Sequence, residues 1–118
     1  MDIRRFDTNE RSSQATAAGG IVFTAGQVAR DNAGADIATQ TREALARTDV
    51  LLARANSDRT RLLSATIWLR DADDYKAMNE AWVEWLPDGT APARAVIQSS
   101  MINEGWDIEI AVVAAANP

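Results

Sequence analysis

Two stretches of this chain have the apolar periodicity of a helix, and six shorter runs have the composition of strands. The first helix is predicted over Asp36–Asn56, with Asp36 as its N-cap, and the second over Tyr75–Leu86, ended by Pro87-Asp88-Gly89. The predicted strands are Ile3–Phe6, Ser13–Ala18, Ile21–Ala25, Leu62–Arg70, Ala93–Ser99 and Trp106–Val113. The element order is therefore β-β-β-α-β-α-β-β.

Six strands with only two helices constrain the architecture. At 118 residues the chain is one domain, residues 1–118, with a single core. Both helices must cover the same face of a mixed six-stranded sheet, which makes the fold α+β. The other face, which carries Trp68, then has no cover from this chain. An apolar face of that size predicts self-association through the sheet.

Local patterns refine this prediction. Gly19-Gly20 joins the second and third strands as a hairpin. The second helix is expected to bury an aromatic stripe that consists of Tyr75, Met78, Trp82 and Trp85. Four charges of the first helix lie off its apolar stripe and are expected to be solvated: Arg42, Glu43, Arg47 and Arg54.

Composition excludes several kinds of chemistry. The chain has no cysteine and no histidine, which removes disulfides, thiol nucleophiles, Ser-His triads and the commonest metal ligands. A net charge of −5 disfavours nucleic acids and anionic membranes as partners. The acidic run Asp71–Asp74 fits no Ca²⁺ loop and is better explained by helix capping. The first residues lack an apolar leader segment, so a cytoplasmic location is expected.

Arg94 and Glu109 stand out because each is a charge inside an apolar strand run. A buried lone ion costs several kcal/mol unless it is paired or liganded. One interpretation is a pocket in which Arg94 binds an anion and Glu109 handles a proton or water. The other is an Arg on an edge strand and a Glu that faces solvent. Ala25-Gly26-Gln27 has two interpretations as well: a loop whose N–H groups approach a ligand, or a strand end or bulge.

A hairpin is expected between the last two strands, turning at Asn103-Glu104. It would place Glu109 opposite Gln98, and Arg94 about four residues away, or ~13 Å at ~3.3 Å per residue. Our hypothesis is that the working pair then comes from two chains, Arg94 of one subunit facing Glu109 of its neighbour.

Several segments carry a family resemblance that covers nearly the whole chain. They are Ser13-Gln14-Ala15, Phe23-Thr24-Ala25-Gly26-Gln27, Met78-Asn79-Glu80-Ala81-Trp82, Pro92-Ala93-Arg94-Ala95 and Ile108-Glu109-Ile110. The combination of Pro92-Ala93-Arg94 with Ile108-Glu109-Ile110 is the most specific for the family. The chain resembles the Rid family (YjgF-type reactive-intermediate deaminases). The segment Ser100–Asn103 and the spacing resemble its divergent YoaB-like branch.

The resemblance implies a chorismate-mutase-like fold assembled as a homotrimer, with ligand clefts between neighbouring subunits. It implies hydrolysis of enamines and imines of amino acids, such as 2-aminoacrylate, to 2-oxo acids and ammonia. No metal or organic cofactor is implied. A binding or regulatory trimer without turnover is the alternative. A chorismate-mutase-like isomerase has less support, because its dianionic substrate would require more cationic groups than Arg94.

The resemblance also assigns roles to residues of this chain. Arg94 matches the carboxylate-binding Arg, and Glu109 the Glu that holds or activates water. Asn79 matches a polar cleft residue and Gly26 a backbone contact to the ligand. Three positions depart from the family pattern: Ser12 replaces a cleft Tyr, Ala25 replaces a Ser, and Val96 stands where Cys is common. Ser12 and Ala25 are still expected to line the substrate site.

Overall fold

The computed structural model describes all 118 residues and confirms the predicted element order. The strands are β1 Arg4–Phe6, β2 Ala15–Ala18, β3 Ile21–Thr24, β4 Leu62–Leu69, β5 Ala93–Gln98 and β6 Ile108–Ala115. The helices are α1 Ile37–Arg54 and α2 Tyr75–Trp85, and short 3₁₀ turns at Arg59–Arg61 and Ala72–Asp74 precede β4 and α2. Asp36 caps α1, since its side chain accepts a hydrogen bond from the Thr39 N–H at 3.2 Å.

The six strands form one mixed sheet in the order β1-β2-β3-β6-β4-β5. The β4–β5 pair is parallel because α2 carries the chain back across the sheet between them. All other neighbours are antiparallel. At the β2–β3 hairpin, Gly19 and Gly20 have φ values of +59° and +80°, which glycine adopts without strain.

The predicted hairpin between the last two strands is wrong. β4 lies between β5 and β6 and pairs with both. The connection over residues 99–107 is long enough to pass the end of β4 and return on its other side. The exposed, alternating β5 suits the edge of the sheet, whereas every second residue of β6 is buried, which suits an inner strand.

Both helices pack on one face of the sheet and bury its core. Ile67 and Leu69 of β4 and Ile110 of β6 are at most 1% exposed under Leu52 of α1 and Met78 of α2. The molecule measures 42 × 37 × 21 Å, the thickness of one sheet with one helix layer. Neither helix combines the length and apolarity that a membrane crossing requires.

The opposite face of the sheet has no covering element, as the sequence predicts. We call this the open face. It carries Phe23 and Ile97, which are 50% and 44% exposed, and the half-buried Trp68. Two burial predictions fail: β5 is largely exposed rather than buried, and Tyr75 is 47% exposed rather than part of the core. Tyr75 is the first residue of α2, where the helix has not yet reached the core.

Candidate functional site

Arg94 is held on the helix-covered face by side chains of α2. Its register with the buried Ala65 of β4 fixes that orientation. One guanidinium N–H donates to Asn79 Oδ1 at 2.7 Å, and another lies 3.3 Å from the Tyr75 hydroxyl. The guanidinium carbon is also 5.6 Å from the centre of the Trp82 ring, within cation–π range.

These partners position Arg94 without neutralising it. Asn79 and Tyr75 are uncharged acceptors, and Arg94 forms no ion pair within the chain. A planar guanidinium with N–H groups to spare can bind a carboxylate with two parallel hydrogen bonds. Arg94 stands on an edge strand and Glu109 lies on the open face, as the second interpretation of the sequence had it, while the Arg94 guanidinium has no carboxylate partner.

An apolar cavity lies beside Arg94. Its volume is about 360 Å³, and it is lined by Leu69, Ala72, Tyr75, Val96 and Gln98. Val96 follows Arg94 by two residues and therefore points to the same side of β5. A ligand carboxylate on Arg94 would have this cavity available for its side chain.

Tyr75 is a candidate site residue that the sequence did not single out. Its hydroxyl contacts Arg94, and its ring forms a wall of the adjacent cavity. The signal was present in the spacing, because Tyr75 and Asn79 are four residues apart and therefore share one face of α2. The chain thus has an aromatic ring beside Arg94.

Glu109 lies on the open face, opposite Trp68 of β4. Gly26 packs directly against it: a Cβ atom built on Gly26 would be 2.6 Å from the Glu109 Cδ. β3 ends at Thr24, and the chain bulges through Ala25 and Gly26 before Gln27 bridges to Ile110 of β6. The bulge interpretation is therefore right for the backbone, and the close approach that glycine permits is made to Glu109.

One chain does not bring Arg94 and Glu109 together. Across β4, Arg94 is in register with Val112, which is three residues from Glu109. The odd spacing puts the two side chains on opposite faces, and the Cα atoms are ~14 Å apart from ~3.3 Å per residue and ~4.8 Å per strand. The hairpin geometry behind the sequence estimate was wrong, but the two groups are indeed separated within a chain.

Ser12 and Ala25 lie away from Arg94. The Ser12 N–H donates to Asn9 Oδ1 at 3.0 Å in the turn before β2. The Ala25 N–H donates to the Gln14 carbonyl at 2.8 Å, in the bulge that contacts Glu109. The candidate residues therefore divide into two half-sites. Arg94, Asn79 and Tyr75 form the first on the helix-covered face, and Glu109 with Gly26 and Ala25 forms the second at the open face.

Comparison with known proteins identifies the family. Residues 3–116 match the family model described as Endoribonuclease L-PSP. A RutC family protein of Haemophilus ducreyi is 40% identical, over 98% of this chain and 97% of its own. The RutC family protein YoaB of Escherichia coli K12 is 36% identical, with 98% and 99% covered. A crystal structure of a YjgF family member from Neisseria meningitidis is 38% identical, has a TM-score of 0.95, and covers 100% of this chain and 98% of its own. The chain thus belongs, over nearly its whole length, to the Rid family of YjgF-type proteins, among relatives that include YoaB.

Proposed function

We propose that this protein is a hydrolytic deaminase of small 2-imino acids and their enamine tautomers, which it converts to 2-oxo acids and ammonia. The observation that carries the proposal is Arg94, an uncompensated guanidinium held by the neutral acceptors Asn79 and Tyr75 beside an apolar cavity. Such a group suits a small carboxylate-bearing substrate with an uncharged side chain. Family membership supports the reaction type.

The reaction requires one carboxylate anchor and one water. Arg94 binds the substrate carboxylate, and Glu109 accepts a proton from the water as its oxygen adds to the imine carbon. The imine nitrogen takes up a proton, and the resulting carbinolamine collapses to the 2-oxo acid as ammonia leaves. An enamine such as 2-aminoacrylate first takes a proton at its terminal carbon to become the imine. No step requires a metal or organic cofactor.

We further propose that the site is completed by a homotrimer. Because the half-sites lie on opposite faces of one sheet, Glu109 of one subunit must meet Arg94 of another. Association through the open face would also cover Phe23, Trp68 and Ile97. In the cleft, the backbone of Ala25 and Gly26 and the side chain of Ser12 would lie near the substrate, with Tyr75 as the aromatic wall.

A carboxylate-binding trimer without turnover is the second candidate. It is favoured by the same separation, since an assembly that does not align Glu109 with Arg94 would bind a 2-oxo acid and leave imines unhydrolysed. RNA cleavage, which the description of the matching family model mentions, is not proposed for this chain. Its net charge is −5, whereas RNA binding relies on a basic surface.

The decisive experiment is a turnover assay on 2-iminobutanoate generated in situ, comparing wild type with Arg94→Lys. One ammonium does not reproduce the bidentate carboxylate contact, so kcat/KM should fall by roughly 10- to 150-fold, the equivalent of ~1.5–3 kcal/mol for a charge-assisted hydrogen bond. Arg42→Lys is the matched control, because Arg42 is an exposed residue of α1 with only a 3.7 Å contact to Glu84. Wild-type efficiency in Arg94→Lys would refute the anchoring role. Binding of 2-oxobutanoate without turnover by the wild type would establish the second candidate.

A further inference from the structure

A second cavity lies on the helix-covered side, behind the bulge that contacts Glu109. Its volume is about 270 Å³. Its polar lining consists of Asp7, Gln14, Gln27, Arg30, Arg47 and Arg54, and two apolar residues of α1 complete it. None of the residues around Arg94 lines it. We call it the arginine cavity.

The charges of the arginine cavity favour an anion. Arg54 is paired with Asp7 through contacts of 2.6 and 3.2 Å. Arg47 is paired with Glu43 at 2.6 Å and Asp31 at 3.2 Å, so the prediction that Glu43 and Arg47 are simply solvated is wrong. Arg30 has no carboxylate partner, and its guanidinium stacks 5.4 Å from the centre of the Trp106 ring. The lining thus contains three arginines against one aspartate, and Arg30 is the uncompensated cation.

Gln27 requires that a ligand of this cavity carry a hydrogen-bond donor. It is only 7% exposed, and its amide nitrogen donates to Gln14 Oε1 at 3.0 Å and to the Ala25 carbonyl at 3.1 Å. These two acceptors fix the orientation of the amide, and the Gln27 Oε1 accepts no hydrogen bond from the protein. Since no fully buried side-chain oxygen lacks a partner, this oxygen must be accessible, and the arginine cavity is the space that Gln27 lines. A ligand that fits must therefore present a donor as well as an anion.

We propose that the arginine cavity binds a free acidic α-amino acid. Its carboxylates would pair with Arg30 and with the outer N–H groups of Arg54, and its ammonium would donate to Gln27 Oε1 and the Asp7 carboxylate. Arg54 is balanced by Asp7, and Arg47 by Glu43 and Asp31, so Arg30 is the lining cation that is free to balance the one net negative charge of the ligand.

Binding at this cavity would act on the site of the proposed reaction. Gln27 exchanges backbone hydrogen bonds of 2.7 and 3.0 Å with Ile110, the residue after Glu109, and Gly26 packs on Glu109 itself. A ligand on Gln27 would stabilise the bulge against which Glu109 rests. The regulatory consequence depends on the proposed function, whereas the binding does not.

The test is isothermal titration calorimetry of L-glutamate into the Arg94→Ala chain, which removes binding at the substrate anchor. We expect saturable binding that Arg30→Gln weakens by roughly tenfold or more, as loss of a charge-assisted hydrogen bond should. Arg5→Gln, an exposed arginine of β1 outside the cavity, is the matched control and should bind as the parent does. 2-Oxoglutarate, which lacks the ammonium donor, should bind at least about tenfold more weakly.

Each other outcome overturns the proposal. No heat of binding in Arg94→Ala, when the wild type binds, would place glutamate at the substrate anchor. Equal binding of 2-oxoglutarate and glutamate would remove the role of Gln27 and leave a general anion site. Binding unchanged by Arg30→Gln would exclude the cavity. Because calorimetry needs no turnover, a chain that binds glutamate and hydrolyses no imine refutes the proposed function and leaves this site standing.

Discussion

The strength with which Arg94 can bind a carboxylate depends on how its own N–H groups are engaged. Asn79 and Tyr75 each accept one hydrogen bond, and Trp82 lies within cation–π range of the guanidinium. Together they restrict the rotamers of a long side chain before ligand arrives, which lowers the entropy that binding must offset. The half-site is therefore preorganised by α2.

Tyr75→Phe tests this preorganisation. The change removes the hydroxyl that contacts Arg94 and keeps the ring that lines the cavity. We expect the Kd for 2-oxobutanoate to rise roughly 2- to 12-fold, the equivalent of ~0.5–1.5 kcal/mol for one hydrogen bond, with Tm nearly unchanged because Tyr75 is exposed. Calorimetric titration and thermal denaturation measure the two effects. An unchanged Kd would mean that Asn79 alone positions Arg94.

Gly26→Ala tests the second half-site. A methyl group would lie 2.6 Å from Glu109 Cδ and 2.7 Å from its Cγ, so the Glu109 side chain must move. If Glu109 acts as we propose, kcat should fall at least roughly tenfold, because moving its carboxylate by about 1 Å would spoil its alignment with the water. The variant should also be less stable than wild type.

The double variant Gly26→Ala/Glu109→Ala separates this clash from a general defect of the bulge. Truncating Glu109 removes the atoms that the new methyl group would meet. The double variant should therefore lose less free energy of unfolding, measured by urea denaturation, than the two single variants lose together. Simple additivity would show that Gly26 is needed for the backbone and not for Glu109.

At the level of elements, local signals were predictable and long-range order was not. The cap at Asp36 and the hairpin glycines depend on neighbours within a few residues, so the sequence identifies them. The placement of β4 between β5 and β6 depends on which strands bury most apolar area against the helices. The prediction paired β5 with β6 because they are adjacent in sequence, and that pairing is wrong. The predicted burial of Tyr75 is wrong for a related reason, because an apolar stripe does not show where along its length the helix first contacts the core.

The acidic start of α2 gives a prediction about pH. Burial, followed by repulsion from Asp71, Asp107 and Asp73, raises the pKa of Asp74 above its usual value of 3.8. Ionised Asp74 therefore destabilises the native state at neutral pH, and this cost disappears as the pH falls below the unfolded-state pKa near 3.8. Asp74 occupies the N-cap position of α2 but its side chain forms no capping hydrogen bond, so replacing it with Asn removes no such bond.

Asp74→Asn should consequently have a higher Tm than wild type at pH 7, and the difference should narrow toward zero near pH 3.5. Thermal denaturation across that range measures it. Asp88→Asn removes the same charge from a chain of net charge −5 at an exposed turn, and it corrects for the change in overall charge. A Tm difference for Asp74→Asn that does not vary with pH would contradict the electrostatic origin.

For the whole molecule, the open face and the divided site have one common explanation. A sheet covered on one side leaves Phe23 and Ile97 in water, at an energetic cost of ~25 cal/mol for each Å² of apolar surface that could be buried. The same sheet separates Arg94 from Glu109 by placing them on opposite faces. A cyclic assembly through this face would bury the apolar residues and bring the two half-sites of neighbouring chains together.

Mixing inactive chains tests that arrangement. Arg94→Ala and Glu109→Ala should each be inactive, and light scattering should show the wild-type assembly for both. Consider a ring with one cleft per interface, in which the two variants are mixed equally and exchange fully. A cleft is intact when the chain that supplies Arg94 is Glu109→Ala and the neighbour that supplies Glu109 is Arg94→Ala. Each choice has a chance of one half, so activity should recover to about a quarter of wild type. A site within one chain predicts no recovery at any ratio, since every chain lacks one of the two groups, and a stable monomer in light scattering would refute the shared cleft directly.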